Sequence, residues 1–478
     1  MSERGDNPAR TDRPPFRDTT TGNDQRRRQR ASSPPTAPAR VPQTRLGRLA
    51  SVALAMGDLA LSGAAAGVRR FAAGQGAESM ANIVSAQSAR RLAARLSRLR
   101  GGAMKLGQLM SLQGTHFLPP EFVEALSVLR AQAAPMPQAQ LRRVLGREYG
   151  RGWERRFTRF DLEPIAAASI GQVHRARTAD GRDLALKIQY PGVARSIRSD
   201  VDNLAMALQL LKLLPHDVDI PAIAAEAARE LGQEADYLAE AEALERFARL
   251  LADEPRLRVP RPHRDLTTPR ILAMDYMEGE PLDSLADGDV PQATRDDVGA
   301  LLERLVFREL FEFGAMQTDP NFANYLWQPH SGDVVLLDFG ATVRFRPSFV
   351  AHYARITRAV IAGDRGEVAR LAAAIGYVRE DDPPEMLAAA TDVILMVCEP
   401  LRHIGPYDFA VSDLPARAAA LGVDLGIRQR LLRAPPPETI FLHRKLVGSF
   451  LALAHIKARV DARALILPLL NRASRGAR

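Results

Sequence analysis

The sequence predicts an α+β fold of two lobes, a small mixed lobe followed by a larger helical one. Three observations carry that expectation. Residues 155–190 contain short apolar runs, clearest at 183–188, that read as strands. Helical signals dominate 193–250. After Pro281 the chain is helical again, interrupted by the apolar run 334–337. A further strand pair is expected around 271–277, and there is no internal repeat.

The N-terminal part differs in kind. Residues 1–48 hold eleven arginines against five acids, a net +6 of the chain's +9. Apolar side chains are nearly absent from 1–45, so burial could not offset the entropy of ordering. Residues 1–46 are therefore expected to form a disordered basic tail. The tail lacks the apolar centre of a secretory signal, and its acids argue against an organelle-targeting leader. The rest of the chain is close to charge balance and carries no nucleic-acid-binding motif, so no nucleic-acid partner is expected. Residues 49–68 have the length of a membrane span but are rich in Ala, Gly and Ser, with Asp58 in the middle. An interfacial or partner-packed helix fits better, with an anionic membrane surface as the matching partner. The expected organisation is a helical extension over 47–150, a small lobe over 151–277 and a large lobe over 278–470. With Cys398 as the one cysteine, neither a disulfide framework nor a thiolate metal site can form within the chain.

The chemistry lies in the order of short motifs. The run DVVLLDFG brings an apolar strand to Asp338, where a carboxylate is held rigidly and Gly340 lets the chain turn. Nucleotide triphosphate chemistry needs a divalent cation, and Mg²⁺ prefers such oxygen donors. Upstream, TDPNFANYL sets Asp319 and Asn324 at Asp-x₄-Asn spacing, the spacing of kinase catalytic loops. There the Asp orients or deprotonates the attacking group and the Asn helps hold metal. In DLALKIQYPGV, Lys187 lies in an apolar strand, suited to pairing phosphates. Before it, IAAASIGQV offers small residues and Gly171 for close backbone approach to phosphate. The acidic segment 229–247 supplies Glu234, Asp236 and Glu240 as candidate partners of Lys187. Small-residue loop, strand Lys, helix acid, apolar linker, Asp-x₄-Asn and DFG are six elements whose order points to a protein-kinase-like phosphate site using ATP/ADP and Mg²⁺.

These residues resemble the UbiB/ADCK-type, or AarF-like, atypical kinases, in particular the branch of ubiquinone-biosynthesis ATPases. The resemblance covers roughly residues 95–460. It rests on GAMKLGQLMSLQG at 102–114, AAASIGQV at 166–173, ALKIQYPGV at 185–193, QEADYLAEA at 233–241, FEFGAMQTDPNFANYL at 311–326, LLDFGAT at 336–342 and ETIFLHRKLVGSFLALAHIKAR at 438–459. It implies that Lys105 and Gln108 form a KxGQ motif on an extension folded over the active site. It also implies that Ala166, Ala167, Ala168 and Ser169 replace a glycine-rich loop, and that Lys187 binds phosphate with Glu234 as its helix partner. Asp319 would be the catalytic acid or base and Asn324 and Asp338 the metal ligands. Backbone groups of Asp275, Tyr276 and Met277 would bind adenine. The implied activity is ATP hydrolysis or small-molecule phosphotransfer supporting quinone biosynthesis. The alternatives are a protein kinase with an unusual substrate and an ATP-dependent lipid-binding chaperone or scaffold. Implied partners are quinone-biosynthesis proteins or lipid precursors, with a homodimer allowed. The expected address is cytoplasmic, peripheral to a bacterial inner membrane. No peptide-docking segment follows Gly340, which departs from ordinary protein kinases.

Overall fold

The structure, a computed structural model, describes residues 135–210, 220–319, 321–379, 381–425, 431 and 436–475. The expected tail, the stretch 49–68 and the extension segment bearing Lys105 and Gln108 lie outside the described residues.

Helix α1 (Gln138–Glu148) opens the described chain. Its Leu141, Val144 and Leu145 share a core with Trp153 and Phe157, and the Met136 amide just before it donates to Gln172 Oε1 at 2.7 Å. Strands β1 (Phe157–Phe160), β2 (Ala166–Ala168), β3 (Gly171–Thr178) and β4 (Asp183–Gln189) follow. Next come α2 (Val193–Leu210), α3 (Ile220–Glu234) and α4 (Tyr237–Leu250), then β5 (Leu257–Arg258) and β6 (Ile271–Asp275). The sheet of the small lobe runs β1-β3-β4-β6 with β2 paired to β3, and every pairing is antiparallel. Strand β4 is central. Its Leu184, Leu186 and Ile188 are fully buried on one face, while Lys187 and Gln189 use the other, as the two-residue strand period requires. Gly171 faces Gln189 across the ladder, and a Cβ there would collide with the neighbouring Ile188 carbonyl. The glycine therefore lets β3 and β4 approach. Strand packing thus requires a glycine at this position in addition to any role towards phosphate.

Between α3 and α4 the helix breaks. Asp236 caps α4 by accepting the Ala239 amide at 3.0 Å, a bond worth about 1 kcal/mol. The cap sets the buried face of α4 as Tyr237, Glu240, Ala241, Leu244 and Phe247, spaced three to four residues apart.

The large lobe begins with β7 (Glu280–Pro281) and α5 (Gln292–Phe311), whose buried residues spread round most of its circumference. Strands β8 (Ala315–Gln317), β9 (Tyr325–Trp327), β10 (Val334–Leu336) and β11 (Thr342–Arg344) follow. Helices α6 (Pro347–Ala362), α7 (Arg365–Ile375), α8 (Pro384–Val397) and α9 (Glu399–Arg402) lead to β12 (Tyr407–Asp408) and α10 (Leu414–Val423). The described chain ends with α11 (Pro437–His455), β13 (Arg459–Val460) and α12 (Ala462–Arg475). A sheet of order β5-β10-β9-β7 and a β8–β11 ladder carry the motifs around 319–342. Among the described residues no helix is long and apolar enough to cross a membrane.

Candidate active site

Two short ladders assemble the large-lobe half of the site. In the antiparallel pairing of β9 with β10, Tyr325 faces Leu336, and the Leu337 amide continues the ladder to the Asn324 carbonyl at 2.9 Å. Asn324 and Asp338, fourteen apart in sequence, thus lie at one end of a single hairpin. In the pairing of β8 with β11, Gln317 faces Thr342, and the Thr318 amide reaches the Ala341 carbonyl at 2.8 Å. Asp319 is thereby set beside Gly340. The Asn324 amide nitrogen lies 3.4 Å from Asp319 Oδ2 and 3.5 Å from the Asp319 carbonyl oxygen, both long for hydrogen bonds.

The small lobe supplies Lys187. Its Nζ lies 2.8 and 3.0 Å from the two Glu240 oxygens and 2.8 Å from Asp338 Oδ2. The Lys187 side chain is 8% exposed and that of Glu240 fully buried. Burial pushes the Lys187 pKa down, but the Asp338 and Glu240 carboxylates outweigh it and hold the ammonium well above its ordinary range. Burial also raises the Glu240 pKa, and Lys187 works against that rise. The Lys187 charge is held by the two carboxylates together, so removing Glu240 takes one of its partners away in a dry interior. The Tyr237 ring stands 5.3 Å from the ammonium.

Glu240, not Glu234, therefore pairs with Lys187, which corrects the assignment the resemblance implied. The cause is the break at Asp236. Glu234 is the last residue of α3, and a Cβ on Gly340 would stand 3.5 Å from its Cα. Glu240 lies one turn into α4, on the face turned to β4. Gln189 was not singled out from the sequence, yet its amide donates to the Ala235 carbonyl at 2.8 Å and anchors the turn leading into α4. It shares a strand face with Lys187, two residues on, and that periodicity was a usable signal.

Asp338 is fixed from two sides, by Lys187 on Oδ2 and by the Gly340 amide on Oδ1 at 2.9 Å. Phe339 turns inward against Phe247 of α4, with ring centroids 4.4 Å apart. Such a pair is worth about 0.5–1.5 kcal/mol beyond simple burial. Helix α4 is thus linked to the 338–340 segment twice, by Glu240 through Lys187 and directly by Phe247. In the small lobe, Ala166 and Ala167 are exposed, while Ala168 and Ser169 are half-buried. At the junction of the lobes, the Asp275 amide donates to the Arg261 carbonyl and the Tyr276 amide to the Asp183 carbonyl, each at 3.0 Å. The Tyr276 ring lies under the Arg175 guanidinium at 3.9 Å. Met277, the third residue named for adenine, follows directly and is half-buried.

No group of three or more His, Cys, Asp or Glu side chains suited to holding a metal occurs among the described residues. The donors present are one carboxylate and one amide oxygen. That set suits a hard cation that keeps waters and takes phosphate oxygens as further ligands. A cavity of about 680 Å³ lies along α4, walled in part by Gly232, Asp236, Glu240, Phe339, Gly340 and Arg344.

A protein-family model described as the ABC1 atypical kinase-like domain matches residues 128–372. This chain belongs to the ABC1 atypical kinase-like family. It is 37% identical over 439 residues to the mitochondrial atypical kinase COQ8B of Rattus norvegicus, covering 91% of this chain and 82% of that protein. The mitochondrial atypical kinase COQ8 of Saccharomyces cerevisiae is 36% identical over 421 residues, covering 88% and 83%. Among solved structures, the erythromycin complex of Rv3197 from Mycobacterium tuberculosis matches with a TM-score of 0.56 at 26% identity, over 79% of this chain and 94% of that one. The likeness to UbiB/ADCK-type kinases and the kinase-like α+β fold are thereby borne out, and the chain is an enzyme of the atypical kinase class. The expected cytoplasmic address at a bacterial inner membrane is overturned, because these COQ8 relatives are named as mitochondrial.

Proposed function

We propose that this ABC1-family enzyme is a Mg²⁺-dependent ATPase or small-molecule phosphotransferase that supports ubiquinone biosynthesis at a membrane surface. The observation that carries the reading is the Lys187 ammonium, buried and held between Glu240 and Asp338. That arrangement keeps a cation beside the site at any physiological pH, ready for phosphate oxygens.

In this reading Lys187 binds the nucleotide phosphates and Ala166, Ala167, Ala168 and Ser169 cover them. The Met277 backbone meets adenine, since the amides of Asp275 and Tyr276 already serve Arg261 and Asp183. Asp319 orients water or an acceptor hydroxyl and takes its proton. Asn324 and Asp338 would hold Mg²⁺, which supplies neutralisation of phosphate charge when bound. The extension carrying Lys105 and Gln108 would cover this site. Only residues 341–346 separate Gly340 from α6, and this favours water or a small acceptor over a docked protein.

ATP turnover by the purified chain tests the proposal, with and without anionic liposomes and phenols resembling quinone precursors. The expected result is slow turnover stimulated by both additions, and a loss of about 10²-fold or more in Asp338→Asn. Normal turnover by Asp338→Asn would sink the assignment.

A further inference from the structure

The catalytic loop has a support that its own sequence does not contain. Arg444 and Lys445, neighbours on α11, reach its two flanks. Arg444 Nε donates to the Thr318 carbonyl at 2.9 Å, one residue before Asp319, and Nη2 lies 3.3 Å from Thr318 Oγ1. Lys445 Nζ donates to Tyr325 OH at 3.0 Å, one residue after Asn324, and to Gln317 Oε1 at 3.2 Å. The loop is thus gripped immediately outside both functional residues.

Each grip is buried and charged. Lys445 pairs with Glu309 of α5 at 3.5 Å, the two side chains being 4% and 1% exposed, and Glu309 Oε1 accepts the Gln317 amide at 3.2 Å. Arg444 Nη1 pairs with Glu230 of α3, which is equally dry. Glu230 lies one helical turn before Glu234, at the end of α3 that leads into the α4 cap. One guanidinium therefore joins the helix behind Lys187's partner to the backbone carbonyl beside Asp319. A planar fork fixes the relative directions of both acceptors, which the freely rotating donors of an ammonium do not. Neither residue touches Lys187, Asp338 or the Ala166–Ala168 strand in any of these bonds.

We infer that Arg444 and Lys445 are positioning residues for the Asp319-to-Asn324 loop, and that Arg444 couples its placement to α3. Apolar side chains would fill the same space, but they could not orient a carbonyl whose residue precedes the catalytic acid. The inference rests on the proposed ATP chemistry, and the experiment separates the two.

Steady-state ATP turnover, ATP affinity by displacement of a fluorescent nucleotide, and melting temperature are measured for Arg444→Ala, Arg444→Lys, Lys445→Met and the pair Glu230→Gln with Arg444→Met. Asp319→Asn serves as the control. A loop misplaced by about an ångström loses on the order of 10²-fold in rate. Arg444→Ala should lose that much in kcat, while its ATP Kd changes by less than roughly threefold, because the phosphate and adenine contacts lie elsewhere. Arg444→Lys should fall between Arg444→Ala and the parent, and Lys445→Met should also lose rate at near-normal affinity. The Glu230/Arg444 pair variant removes both buried charges, so it should recover melting temperature without recovering kcat. The inference is overturned if that pair regains turnover along with stability, or if Arg444→Ala turns over normally. It also fails if kcat and affinity in Arg444→Ala decline together. If Asp319→Asn itself turns over normally, the ATP reading fails instead.

Discussion

Glu240→Gln preserves side-chain volume and removes one charge from a pair that water does not reach. Lys187 then faces an amide oxygen where a carboxylate stood, with Asp338 still 2.8 Å away. Removing one partner of a buried pair costs about 3–5 kcal/mol. The lower figure applies, because Asp338 remains and its side chain is 25% exposed, so the ammonium keeps one partner and some solvent. About 3 kcal/mol at roughly 2 °C per kcal/mol gives a fall in melting temperature of about 6 °C. Turnover should suffer more than stability, since Lys187 drawn wholly onto Asp338 competes for the oxygen meant for metal. The assay is thermal melting followed by circular dichroism, with ATP turnover, on Glu240→Gln and Glu234→Gln in parallel. If Glu234→Gln shows the larger loss in both while Glu240→Gln matches the parent, Glu240 is not the partner of Lys187.

Two other outcomes follow from single contacts. His443 is stacked on Tyr377, with Nε2 2.7 Å from the Tyr377 hydroxyl, and burial lowers its pKa to about 4 from 6.5. The unfolded chain takes the proton first, so this stability is complete above pH 6.5 and is lost as pH falls towards 4, about 3 kcal/mol in all. Urea unfolding at pH 7 and pH 4.5 should show a smaller acid loss in His443→Gln than in the parent; equal losses would reject the assignment. Gly171→Ala would force β3 off Ile188 at a cost of about 1–3 kcal/mol, read as a lower urea midpoint. Unchanged stability with weakened ATP binding would mean that the glycine serves phosphate rather than strand packing.

The parts of the site that were legible are those the chain states locally. Lys187 sits in a strand recognisable from its apolar neighbours, and Asp319, Asn324 and Asp338 follow a spacing that two short ladders translate directly into proximity. The strand expected at 334–337 forms as Val334–Leu336, whereas the strand pair expected around 271–277 forms as a single strand, Ile271–Asp275, paired with β4. The acidic segment was legible only as a set. Three acids within seven residues all looked able to reach Lys187, and the choice depended on where a helix stops. The Asp236 cap made that choice, moving Glu240 onto the buried face and leaving Glu234 behind it.

The sequence by itself determined the order of the chemical groups and hence the kind of chemistry, because strand ends, turns and short spacings are governed by neighbours in the chain. Only the tertiary structure decided which charge neutralises which. Lys187 meets Glu240 across 53 residues and Asp338 across 151, and Arg444 meets Thr318 across 126 and Glu230 across 214. A buried ion must find an opposite charge or lose its own, so these pairings are strict once the core closes. No local pattern announces them, because the partner is selected by which helix face packs against which strand.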